Sequence, residues 1–190
     1  MNPFELPPDY HKAIGVLTTE FAGLERLTTS CIMYCSSIST WDEVFCLVGG
    51  DEYGALLKKL EKLVNTNLKD EAALLAQFKP ILKSLTGINE DRNTYTHSLW
   101  FIPPLSILLA DPHVVRRKFL RNFNPAKGLE DVEPTPIAML DECIKKISDA
   151  KSELSSFFYD NIETINAAVD RRKKEAIRAQ TAPPYSSEPI

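Results

Sequence analysis

The chain has 190 residues, of which 44% are hydrophobic and 25% charged, proportions of a globular protein with a sizeable core rather than of a disordered chain. A net charge of −4 excludes a bulk-basic nucleic-acid coat but leaves room for a local basic patch. No apolar run approaches the roughly 20 residues that a membrane helix needs, and the start MNPFELPPDYHK has no basic segment followed by an apolar core, so a cytoplasmic protein without membrane association is expected.

Seven glycines are few for this length, which favours helices over sheet-rich or phosphate-cradling folds. Pro7-Pro8-Asp9 signals a helix start. From it an apolar stripe runs through Tyr10, Ile14, Leu17, Phe21, Leu24, Thr28, Cys31, Cys35 and Ile38 in steps of four and three. One face of a long helix, ending near Ser39-Thr40, is therefore buried. Thr40 is placed to cap a short helix from Trp41 to about Val48, with Glu43 as its capping-box partner and Gly49-Gly50 as its stop. A further helix runs from about Asp51 to Asn67 with Leu56, Leu57, Leu60, Leu63 and Val64 inward.

The next helix begins near Asp70, and its stripe is Leu74, Phe78, Ile81, Leu85, Ile88, Arg92, Tyr95 and Leu99. Pro80 inside it is expected to kink it or to break it at Lys79. The pattern fades near Trp100-Phe101-Ile102 and stops at Pro103-Pro104; Trp100 reads as core. Residues 103–134 carry no helical period, and the segments 105–109 and 114–120 suggest short strands around Asp111-Pro112. Thr135-Pro136 opens a last helix with Ile137, Leu140, Ile144, Ile147, Leu154, Phe158, Ile165 and Val169 inward. It continues to about Arg178, and TAPPYSSEPI reads as a tail without structure. The sum is a mainly α protein, an up-and-down bundle of about four long helices with a small irregular or hairpin insertion near 103–134. One domain spans 1–178, and 179–190 form a disordered tail.

The four cysteines form no CxxC pair, and the three histidines supply no zinc spacing. Buried thiols in a reducing compartment are expected, with no metal and no cofactor. Charge is segregated: residues 111–130 hold five basic against two acidic residues, and residues 165–180 repeat that ratio. Arg116, Arg117, Lys118 and Arg121 are a candidate RNA-contacting patch, the alternative being solvated surface.

Arg92 is the anomaly of its stripe. A full positive charge on an apolar seam is costly unless an acid answers it or the seam opens into a cleft. At about 100° per residue, Arg92, Asn93, Thr96 and His97 fan across one sector of a helix. A guanidinium, an amide, a hydroxyl and an imidazole around one concavity suit phosphodiester chemistry. Arg offers planar bidentate donors to a phosphate, and His moves a proton near neutral pH.

Arg92-Asn93, three residues, then His97 resembles the R-N-x-x-x-H motif of HEPN domains (higher eukaryotes and prokaryotes nucleotide-binding). Its place, late in the third long helix of an α bundle, is similar too, and Phe21-Ala22-Gly23-Leu24-Glu25 looks like the acidic first-helix segment of bacterial members. The resemblance implies a metal-independent endoribonuclease that dimerises so that two Arg–His motifs face each other. The RNA 2′-hydroxyl would attack the adjacent phosphate, leaving a 2′,3′-cyclic phosphate. Arg92 would bind the phosphate, His97 would be the general acid or base, Asn93 would orient it, and Glu25 would set the protonation state of the pair. Many such proteins are toxins or phage-defence effectors, so an antitoxin or other regulatory protein is an implied partner. One departure stands out: where members silenced by a nucleotidyltransferase often carry Tyr two residues after the His, this chain has Leu99. The alternative reading is a non-catalytic HEPN-like dimeric bundle that binds nucleotide, RNA or a partner protein. A third is a structural bundle in which an acid pairs with Arg92.

Overall fold

The computed structural model describes residues 6–36, 38, 40–96, 98–101, 114–118 and 132–181. Among these the protein is mainly α. The helices are α1 (Pro8–Ser36), α2 (Trp41–Val48), α3 (Tyr53–Asn67), α4 (Ala72–Thr96), α5 (Ile137–Asp160) and α6 (Ile162–Thr181). Three short strands, β1 (Ser98–Phe101), β2 (Val115–Lys118) and β3 (Val132–Pro134), form an antiparallel sheet in the order β1-β2-β3. No helix among the described residues is long and apolar enough to cross a membrane.

The chain divides into two compact units, Met1–Leu27 with Lys83–Glu153, and Thr28–Leu82 with Leu154–Ile190. Leu17, Phe21, Leu24, Leu85, Ile88, Leu140 and Ile147 are buried in the first. These are the inward positions of the 3.6-residue stripes, and their burial supplies the drive for the helices to form. In the same unit the Tyr10 hydroxyl donates to the Thr135 carbonyl at 2.9 Å, and the Trp100 indole N–H donates to the Tyr95 carbonyl at 3.0 Å. Trp100, half-buried, packs its ring against Tyr95 and Tyr10 with centroids 6.3 and 6.2 Å apart. In the second unit α3 and α6 pack together. Leu57, Leu60, Val64, Leu154 and Ile165 are buried there, and Phe78 meets Phe157 at 5.4 Å.

Local chemistry explains the boundaries. Thr40 caps α2, its hydroxyl oxygen accepting from the Glu43 N–H at 3.3 Å. Gly50 adopts φ +82°, a left-handed backbone that favours glycine. A side chain at Gly49 would collide with the Phe45 carbonyl oxygen.

Three expectations change. The break at Lys79 does not occur: α4 runs through Pro80, which lies on the exposed side where water can take the carbonyl that its missing N–H leaves open. The last helix is two helices that part at Asn161, whose side-chain amide donates to the Phe157 carbonyl at 2.8 Å and so competes with the backbone ladder. Helix α6 then continues to Thr181, past the expected end near Arg178. Of the insertion near 103–134, β2 and β3 are seen, and β2 falls in the expected strand segment 114–120. The run 105–109 and the tail from 182 lie outside the described residues.

Cys31, Cys35 and Cys143 are buried and Cys46 is exposed, all four as free thiols. Burial disfavours the thiolate and pushes Cys35 up to about 12. Burial, then the nearby Asp91 charge, pushes Cys143 up to about 11. An alkylating reagent is therefore expected to modify one thiol, Cys46, rapidly in the native protein and all four in denaturant. A folded-state thiol pKa above the ordinary value of about 8.5 contributes stability that is present below that value and lost as pH rises. The urea midpoint is expected to fall as pH climbs from about 8.5 toward the folded-state values, and to fall less steeply in Cys35→Ala, as denaturation curves at several pH values would show.

Candidate functional site

Helix α4 brings Arg92 and Asn93 together near its C-terminal end. The Arg92 Nη1 donates to the Asn93 Oδ1 at 2.9 Å, and the Arg92 carbonyl accepts from the Thr96 hydroxyl at 2.9 Å. The guanidinium carbon stands 4.7 Å from the centroid of the Phe21 ring on α1. The ring face attracts the cation. Phe21 is 1% exposed, so this platform is part of the packed interior.

Arg92 Nε is buried and has no hydrogen-bond partner among the described residues. A buried N–H left without an acceptor costs about 1–3 kcal/mol. Such groups are rare in native interiors and call for a reason. Nη1 is engaged by Asn93, so the side of the guanidinium that carries Nε and Nη2 faces away from that contact. That side is the edge a guanidinium uses for a paired, side-on grip on a carboxylate or phosphate.

Neighbouring acids are committed elsewhere. Asp91 lies 3.4 Å from the Lys146 Nζ, which also meets Glu142 at 3.3 Å. Glu20 pairs with Lys151, whose chain end packs over Gly23. No described carboxylate forms an ion pair with Arg92. Glu25 is half-buried on α1, one turn after Phe21 and on the same face.

Of the sequence candidates, Arg92 and Asn93 are thus joined, with Thr96 bonded to the same turn. Asn93 bonds to Arg92, and its expected role toward the imidazole falls on a residue outside the described ones. Helix α4 ends at Thr96, and His97 lies outside the described residues. Arg116, Arg117 and Lys118 occupy β2, paired in register with Trp100, Leu99 and Ser98 of β1. Arg121 lies outside the described residues. Sequence reasoning missed the role of Phe21: it belongs to the apolar stripe of α1 and reads there as core, and only the Arg on the facing stripe hints at a cation–ring contact. No group of three or more His, Cys, Asp or Glu among the described residues could hold a metal ion.

No family model matches the chain, and neither a curated protein nor a solved structure matches it.

If the buried Nε is held for a ligand, removing it should cost the unligated protein little. Arg92→Met keeps an unbranched apolar stem and deletes the unsatisfied donor. It gives up a cation–ring contact of about 0.5–2 kcal/mol and regains a desolvation penalty of similar size. Its unfolding free energy in urea is expected to lie within about 1 kcal/mol of wild type. A loss of 3 kcal/mol or more, on the order of that for breaking a buried ion pair, would place Arg92 in a structural network instead.

Proposed function

We propose that the protein is a metal-independent endoribonuclease of the HEPN type, with Arg92, Asn93, His97 and Glu25 at its centre. The observation that carries this reading is the Arg92 guanidinium, stacked on Phe21 and held by Asn93, with a buried Nε that lacks an acceptor. A phosphodiester supplies that acceptor. Each transition state of RNA transesterification gathers charge on the non-bridging oxygens, and a donor already oriented there stabilises it without reorganisation.

In this reading the 2′-hydroxyl loses its proton and attacks the adjacent phosphorus. The bond to the 5′-oxygen breaks, that oxygen takes up a proton, and the products are a 2′,3′-cyclic phosphate and a 5′-hydroxyl. His97, four residues after Asn93, serves as general acid or base. Glu25 holds its protonation state, and Asn93 keeps the guanidinium in register. The four-helix HEPN-like layout, the homodimer and a regulatory antitoxin-like partner belong to the same proposal and rest on the R-N-x-x-x-H resemblance. A toxin or defence role in the cytoplasm follows from it.

Purified protein is expected to cut RNA in the presence of EDTA and to leave cyclic-phosphate ends. Arg92→Ala and His97→Ala are each expected to lower the rate at least about 100-fold, the scale of removing one oriented charge stabiliser or one general acid–base. Induced expression is expected to arrest growth for wild type alone. Intact RNA across a broad substrate set, with equal growth of wild type and variants, would replace the enzyme by the non-catalytic binding bundle.

A further inference from the structure

The second unit contains a cleft of about 200 Å³ that the Arg92 reading does not use. Cys35 and Ser36 of α1, Leu63 and Asn67 of α3, and Arg172 and Lys173 of α6 line it, together with Val169 and Ala176. Asn67 is its fixed point: a polar side chain only 4% exposed. Its Nδ2 donates to the Cys35 carbonyl at 2.7 Å, and its Oδ1 accepts from the Arg172 Nη1 at 3.0 Å. The first bond satisfies a carbonyl that the end of α1 leaves without an intrahelical partner. It also fixes which way the amide points, and the amide passes that orientation to the guanidinium.

Charge around the cleft is unbalanced. Glu175 meets Lys69 at 3.7 Å, and Asp70 and Glu71 meet Arg171 at 3.8 and 3.7 Å. Among the described residues neither Arg172 nor Lys173 pairs with an acid. Burial pushes the Cys35 thiol up to about 12, so it adds no negative charge near neutral pH. Two cations, one held by a buried amide, therefore border a cleft whose remaining lining includes Leu63, Val169 and Ala176.

We propose that this cleft binds a small phosphomonoester, its phosphate on Arg172 and Lys173 and its organic part against Leu63 and Val169. A phosphomonoester carries close to two negative charges at neutral pH, matching the two cations where a carboxylate matches one. Arg172 keeps free donors beyond the one given to Asn67, since a guanidinium has five N–H groups. The volume admits a phosphate with one small substituent. The inference concerns the second unit alone and stands or falls separately from the ribonuclease reading.

Phenyl phosphate, inorganic phosphate and phenol, titrated calorimetrically at matched ionic strength into wild type and Lys173→Ala, test it. Lys173 is exposed and makes no ion pair among the described residues, so the variant is expected to unfold at the wild-type temperature. Phenyl phosphate is expected to bind wild type more tightly than inorganic phosphate, and phenol not to bind. Lys173→Ala is expected to weaken phenyl phosphate about tenfold, the scale of one hydrogen bond to a charged group. Absence of phenyl phosphate binding, or equal binding by wild type and variant, overturns the site. Equal affinity for inorganic phosphate and phenyl phosphate overturns its assignment to a monoester.

Discussion

Arg92 stands on the apolar stripe of α4, where a charge must be paid for by its surroundings. The Phe21 ring and the Asn93 amide meet it in part. Neither accepts a bond from Nε, which stays buried without an acceptor among the described residues. Structural networks of this kind normally close on a carboxylate, because truncating or omitting one partner leaves the other desolvated and unpaired. A donor without an acceptor is instead what a site for an oxyanion offers before its ligand arrives.

The acids of the first unit show the same division. Asp91 is next to Arg92 in sequence, yet its carboxylate is drawn to Lys146, and Glu20 is held by Lys151. These pairs are half-exposed and contribute little stability on their own. Neither carboxylate pairs with Arg92 among the described residues. The basic stretch of α6 follows a similar rule. Its Arg171 and Glu175 are tied to residues 69–71 between α3 and α4, while among the described residues Arg172 answers only to a neutral amide. In both units, a neutral amide orients a guanidinium.

Much of the helical skeleton was legible because it is written locally. The Thr40 cap and the Gly49-Gly50 stop bound α2, and the three-and-four spacing of α1, α3 and α4 marks the buried faces. What escaped was decided by side chains acting on the backbone or by partners far away in sequence. Asn161 ends α5 through its own amide, a competition that the uninterrupted apolar stripe conceals. Pro80 reads as a breaker, but exposure lets the helix pass through it. Residues 98–101 look like the frayed end of α4, yet they pair with 115–118, a contact no local pattern encodes. At the site, Arg92 was conspicuous because it violated its stripe. Phe21 was invisible because it obeyed its own.

The measurement that bears most directly on the central claim is the NMR resonance of the Arg92 Nε–H. It would be followed while a 2′-O-methylated RNA oligonucleotide, which cannot be cleaved by 2′-hydroxyl attack, is titrated in, with Arg92→Lys to assign it. A donor awaiting an oxyanion should move downfield on addition of the RNA and gain protection from solvent exchange, because a charge-assisted bond then forms at that hydrogen. If the RNA binds and that resonance stays where it was, or if it already shows the shift and protection of a bonded donor in the free protein, Arg92 is scaffold and holds no phosphate.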